Sequence, residues 1–180
     1  TMIDLNRFLA YMATHPNAVI RYYPSDMQLH VHVDASYLTA PQARSRVGGH
    51  FFLSVLLPAP YVPYNGAIHA IAKVQKNVLS SAAEAETRAL YIGATEAIPI
   101  RIALENMGHP QQPTPIQTDN STAIAIAKGS CKQIRTKAMD MRFHWLRDRQ
   151  SQQQFHYHWA PGSQNLGDYY TKQHPVHHHQ

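Results

Sequence analysis

The chain has 180 residues, 44% of them hydrophobic and 15% charged, which is the scale of one globular domain with room for a substantial core. Sixteen Lys and Arg stand against 11 Asp and Glu, and the net charge of +5 points to a polyanionic partner, nucleic acid first. The single cysteine, Cys131, excludes an internal disulfide framework, and no run of 18 apolar residues is present to span a bilayer.

The first residues, TMIDLNRFLAYMATHPN, carry neither the basic region nor the long apolar region of a secretory signal, and the chain reads as a piece of a longer polypeptide. Ile3, Leu5, Phe8, Leu9 and Met12 predict an amphipathic helix over residues 2–14. His15-Pro16-Asn17 breaks it, and Ala18–Tyr23 reads as extended. Residues 1–27 are therefore expected to form a connector from an upstream domain, with one domain over 28–173. The His-rich end, 174–180, is expected to be disordered.

Leu29–Asp34 alternates, with Leu29, Val31 and Val33 on one face and His30, His32 and Asp34 on the other. Gly48–Leu57 and Ala67–Val74 predict two more strands, and the connections predict an antiparallel meander. Ser81-Ala82-Ala83-Glu84 fits a capping box that opens a helix ending near Met107, with Gly108 just beyond its end. Pro99 lies inside this helix and should kink or split it. Pro115–Thr118 predicts a fourth strand and Ser121–Lys128 a short helix. Thr136–Gln150 predicts a helix with Arg135, Lys137, Arg142, Arg147 and Arg149 around it. Gln154–Trp159 completes five strands, and Asn165–Gln173 predicts a last helix. The fold class is α/β.

Four acids carry the chemistry: Asp34, Glu86, Asp119 and Asp168. Each has an ordinary alternative. Asp34, read at a strand end, suits a turn. Glu86 suits a solvated helix face, Asp119 a helix cap, and Asp168 the start of a helix, where its charge complements the dipole. Glu84, three residues after Ser81, has the capping job, and Glu86 projects about 200° away from it round the helix. His30 and His32 share the parity of Asp34, so a His-His-Asp metal site is open, against the reading that both are half-exposed surface residues. Four carboxylates from separate elements could hold two divalent ions about 3.5–4 Å apart, an arrangement that cleaves phosphodiesters.

Taken in order, VDAS (33–36), SSAAEAETRAL (80–90), QTDNSTAIAIA (117–127), IRTKAMDMRFHWLRDR (134–149) and GDYYTK (167–172) resemble the RNase H domain of copia-type LTR retrotransposon reverse transcriptases. The opening residues 5–29 also resemble that family's connector. The resemblance implies an RNase H-like fold: a mixed five-stranded sheet, its first three strands antiparallel, flanked by helices. It implies Asp34, Glu86, Asp119 and Asp168 as catalytic metal ligands for two Mg²⁺, with Mn²⁺ as a substitute. The order Asp-Glu-Asp-Asp differs from that of integrases, whose acidic triad ends in Glu.

The implied activity is hydrolysis of the RNA strand of RNA–DNA hybrids during reverse transcription. Asn120, Ser121, Arg135, Lys137 and Arg142 are candidate contacts to the hybrid, and Tyr169 and Lys172 have no assigned role. The upstream reverse transcriptase of the same polyprotein is the implied partner, with no membrane. The implied setting is intracellular, cytoplasmic or within virus-like particles. The loop APGSQNLG (160–167) lacks the His that many cellular RNases H carry before the last Asp, and Gly167 replaces the family's usual Ala. A decayed or domesticated domain that binds without cutting is the alternative.

Overall fold

The computed structural model describes residues 2–56, 62–129, 137–172 and 174, with the backbone alone at 137–140. In chain order the elements are α1 (Met2–Thr14), β1 (Gln28–Ala40), β2 (Arg44–Ser54), β3 (His69–Val74), α2 (Ala82–Asn106), β4 (Thr114–Thr118), α3 (Ser121–Ala127), α4 (Lys137–Ser151) and β5 (Phe155–Trp159). Two 3₁₀ turns follow, Gly162–Gln164 and Leu166–Tyr170.

The sheet order is β3-β2-β1-β4-β5. The first three strands pair antiparallel, whereas β4 joins β1 and β5 joins β4 in parallel. Parallel neighbours need crossover connections, and α2, α3 and α4 supply them. This is the expected five-stranded mixed sheet.

Leu29, Val31 and Val33 form the face of β1 that belongs to the apolar core, joined there by Ile116, Phe155 and Tyr157 from β4 and β5. The helix α2 lies on this face with Ala85, Ala89, Leu90, Gly93, Ala94 and Ala97 buried. Its approach is close at Gly93, where an added Cβ would stand 2.5 Å from Val33 Cγ1. Small residues on α2 thus let the helix backbone settle onto the sheet and set the height at which Glu86 meets β1.

The helix α2 is not split at Pro99: it continues to Asn106. Proline removes one N–H bond, but buried Ala94, Ala97 and Leu104 on either side hold both halves against the core. At its end, Gly108 has φ +90°, its N–H bonds the Glu105 carbonyl, and the His109 N–H bonds the Leu104 carbonyl. This double bond pattern is a Schellman stop, which requires the left-handed residue that glycine supplies.

Several boundaries differ from expectation. The first strand runs six residues beyond Asp34, because pairing with β2 continues through Ala35↔Val47 and Ser36↔Arg46 before the register shifts. Asp34 therefore sits inside a strand, opposite Gly48, and not at a turn. The second strand begins at Arg44, four residues before Gly48. The last helix is a 3₁₀ turn, shorter and tighter than an α-helix. His30 and His32 are buried, not half-exposed, beneath Phe52 and, for His32, Tyr64.

Among the described residues, no helix is long and apolar enough to cross a membrane. No residue of α1 is buried, and Met2, Ile3, Leu5, Phe8, Leu9 and Met12 are exposed. The following segment does dock: Tyr22 donates to the Ala67 carbonyl, and Tyr23 exchanges bonds with the Asn65 side chain. The residues Cys131, Arg135 and 175–180 lie outside the described residues.

Candidate active site

Local structure gives the capping jobs to residues other than the four acids. Ser81 caps α2 by accepting the Glu84 N–H at 3.1 Å. Glu84 reaches back to Ser80, whose N–H and hydroxyl both donate to it, one residue earlier than a standard capping box places the bond. Asn120, not Asp119, caps α3 through the Ala123 N–H at 3.0 Å. Asn165 caps the second 3₁₀ turn through the Gly167 N–H at 3.0 Å. Glu86 and Asp119 are not used as caps, and Asp168 stands in the first turn of the second 3₁₀ helix without capping it.

Asp34, Glu86 and Asp119 converge. Each offers a carboxylate oxygen, and the three oxygens lie within 4.8 Å of one another. Asp34 and Glu86 are only 4% and 7% exposed, while Asp119 is the most accessible of the three. Glu86 accepts from the Ala35 N–H at 3.3 Å and from the Thr118 hydroxyl at 3.4 Å. Asp34 accepts from the Thr171 hydroxyl. The Asp119 carbonyl accepts from the Trp159 indole N–H at 2.8 Å, which ties its backbone to the end of β5.

The electrostatics follow from this crowding. Burial, then the charges of Asp34 and Asp119, push the Glu86 carboxyl up to about 8, against the smaller downward pull of its two hydrogen bonds. Burial raises Asp34 as well; the Thr171 hydroxyl offsets part of this, and Asp119 and Asp168 add to the rise. Clustered carboxylates with these oxygen donors suit a hard divalent cation, whose charge would relieve both the repulsion and the desolvation.

Asp168 stands apart from this group. Its carboxylate pairs with Lys172, four residues on, and it is near enough for its charge to act on Asp34. The structure thus brings three of the four acids together and places the fourth beside them.

No family model matches the chain. Over 87 residues, 46% of its length, the chain is 38% identical to the Retrovirus-related Pol polyprotein from transposon TNT 1-94 of Nicotiana tabacum, and it spans 6% of that polyprotein. The fold is similar to the N-terminal RNase H domain of a Mycobacterium tuberculosis protein (TM-score 0.54, 14% identity, 79% of this chain and 87% of that one). It is also similar to LC11-RNase H1, isolated from compost by a metagenomic approach (TM-score 0.56, 11% identity, 80% and 92%). A structure of LC11-RNase H1 in complex with RNA/DNA hybrid aligns with a TM-score of 0.54 at 10% identity, over 78% of this chain and 91% of that one. The chain is an RNase H-fold domain related to a retrotransposon Pol polyprotein.

In this RNase H-fold domain the other expected site residues are more scattered. Asn120 spends its side-chain oxygen on the cap, and Ser121 is exposed at the start of α3. Arg142 lies over the Tyr91 ring at 5.8 Å, and its charge acts on Arg88 of α2, so these two helices share a basic edge. Arg135 and the side chain of Lys137 lie outside the described residues.

Thr118 and Thr171 were not singled out from sequence, yet they hold Glu86 and Asp34. The spacing of GDYYTK carried a signal, since Thr171 and Lys172 fall three and four residues after Asp168. The pair Gly48-Gly49 inside a strand was another, because strand glycines mark a close backbone approach.

Proposed function

We propose that this domain is a metal-dependent endonuclease that hydrolyses the RNA strand of RNA–DNA hybrids during retrotransposon reverse transcription. The convergence of Asp34, Glu86 and Asp119 within 4.8 Å carries this reading, because it gathers acids from β1, α2 and the end of β4 at one place on an RNase H fold. The related Pol polyprotein, and the hybrid bound by a neighbour of the same fold, support it.

Asp34, Glu86, Asp119 and Asp168 would hold two Mg²⁺, with Mn²⁺ able to substitute. Such ions supply an activated water and stabilise the leaving 3′ oxygen. The chain's own residues hold the ligands in place. The Ala35 N–H and the Thr118 hydroxyl fix the Glu86 carboxylate, and the Thr171 hydroxyl fixes that of Asp34. The scissile phosphate is proposed to enter on the side of Asp119, the most accessible of the three converging acids.

Asn120 and Ser121 are proposed to meet the sugar edge, where the 2′-OH distinguishes RNA from DNA. Arg142, with Arg135 and Lys137, is proposed to meet phosphates. Residues 1–27 are proposed as the connector to the reverse transcriptase of the same polyprotein, in the cytoplasm or within virus-like particles, and the exposed apolar residues of α1 support a covering partner there.

A labelled RNA–DNA hybrid incubated with the protein and Mg²⁺ or Mn²⁺, beside an Asp119→Asn variant, tests the reading. RNA-strand cutting by the parent and its loss in the variant is the expected result. Cutting that survives in Asp119→Asn would remove the metal assignment. Hybrid binding without cutting by the parent would favour a domain that has lost catalysis.

A further inference from the structure

The second 3₁₀ turn delivers Asp168 and, directly after it, two side chains that reach back to the acids. Thr171 donates its hydroxyl to Asp34, and the Lys172 ammonium pairs with Asp168. The ammonium also lies within electrostatic range of Asp34 and Asp119. Among the described residues it is the one basic side chain whose charge acts on Asp34. The stretch 166–172 thus brings both the fourth acid and its counter-ion to the group.

We propose that Lys172 is a built-in counter-ion of the carboxylate group, which holds Asp168 aside and competes with a divalent cation for it. This rests on the metal reading of the four acids. Asp168 is the one acid of the four outside the group that lies within 4.8 Å, and it is the one that carries an ion pair. The other three are held differently: Glu86 by a backbone N–H and a hydroxyl, Asp34 by a hydroxyl, and Asp119 by the strand end that precedes α3.

The Lys172 side chain is 58% exposed and that of Asp168 24%, so the ammonium can move into water on its flexible stem. An exposed pair of this kind is weak, and a doubly charged ion outcompetes it. The three inner acids then form a first, fixed set of ligands, and Asp168 joins only when Lys172 leaves. Lys172 lowers the affinity of the empty group for cations and limits repulsion within it.

Isothermal titration of Mg²⁺ into the full chain tests this, comparing the parent with Lys172→Gln and Lys172→Arg. Lys172→Gln should bind Mg²⁺ about 5- to 10-fold more tightly, the effect of deleting one nearby like charge. Lys172→Arg, which keeps the charge, should match the parent. In EDTA the melting temperature of Lys172→Gln should fall, and Mg²⁺ should raise it by more than it raises the parent.

Equal or weaker Mg²⁺ binding by Lys172→Gln would overturn the counter-ion role. So would unchanged Mg²⁺ binding with weakened affinity for a labelled hybrid in Ca²⁺, which would make Lys172 a phosphate contact. Failure of all three proteins to bind Mg²⁺ would remove the metal reading itself, and this inference with it.

Discussion

Gly48 on β2 and Gly167 in the second 3₁₀ turn lie back to back, and a methyl group on Gly48 would run into the Gly167 carbonyl oxygen. It would also stand 2.8 Å from Thr171 Cγ2, and a methyl on Gly167 would stand 2.9 Å from the Val33 carbonyl carbon and 3.0 Å from the Asp34 nitrogen. Two missing side chains thus let the turn that carries Asp168 lie directly on the strands that carry Asp34. Gly167, where the family usually has Ala, is a packing requirement here. Gly48→Ala should cost about 1–3 kcal/mol through overpacking against backbone. Thermal unfolding should show a drop of roughly 2–4 °C per kcal/mol, together with weaker hybrid cleavage. A variant that melts with the parent would show that the turn does not rest on β2.

Glu86 gives the metal-free protein a specific pH dependence. Its folded pKa, about 8, lies above its ordinary 4.5. A raised pKa means that the stability contributed by the protonated group is complete below about pH 4.5 and is lost as pH rises through 8. Glu86→Gln keeps the neutral shape at every pH. In EDTA it should therefore melt above the parent at pH 8 and alongside it near pH 4.5. Mg²⁺ should reverse the order at pH 8, because glutamine supplies no charge for the ion. Calorimetric melts across this range, with and without Mg²⁺, check both limbs.

The succession of strands and helices along the chain, the caps at Ser81 and Gly108, and the separation of Glu84 from Glu86 were all legible in the sequence, because each is set by residues close together in the chain, whereas the place of β4 beside β1 rests on a pairing of residues some 85 apart. What was not legible depended on distant partners. Parity put His30, His32 and Asp34 on one face of β1, but only the placement of Phe52 and Tyr64 shows that the histidines are covered. The extension of β1 past Asp34 follows from pairing with β2, not from its own pattern. Asp119 and Asn120 were both good caps by residue type, and only the Asn120–Ala123 bond decides between them. The contact between Gly48 and Gly167 spans more than a hundred residues, so a strand glycine could signal a close approach but not its partner.

The buried histidines predict an acid limit that is separate from the carboxylates. His32 accepts the Leu166 N–H at 3.2 Å, and burial, with smaller effects from His158, His50 and His30, pushes its pKa down to about 3. Burial likewise takes His158 down to about 4. A depressed folded pKa contributes stability that is present above the ordinary 6.5 and is lost as pH falls toward these values. The parent should lose melting temperature steadily from pH 6.5 to 4. His32→Asn retains an acceptor for Leu166 but cannot titrate, so its acid limb should be shallower even though a smaller side chain lowers its stability at neutral pH. Parallel slopes for the two proteins would show that His32 is not the group responsible.

Thr171 separates positioning from binding. Its hydroxyl donates to Asp34, its carbonyl accepts from the Ser36 hydroxyl, and its methyl faces Gly48. Valine keeps the shape and the backbone bond but removes the hydroxyl, leaving the buried Asp34 carboxylate without that donor. Thr171→Val should lower kcat for hybrid cleavage by about 10- to 100-fold, the usual scale for losing a group that orients a metal ligand. The hybrid KM should hold, because Thr171 is only 3% exposed and out of reach of a bound hybrid. Thr171→Ser restores the donor and should recover most of kcat while losing some stability through the missing methyl. A rise in KM at constant kcat would instead place Thr171 against the nucleic acid, and equal losses in the valine and serine variants would assign the effect to packing against Gly48.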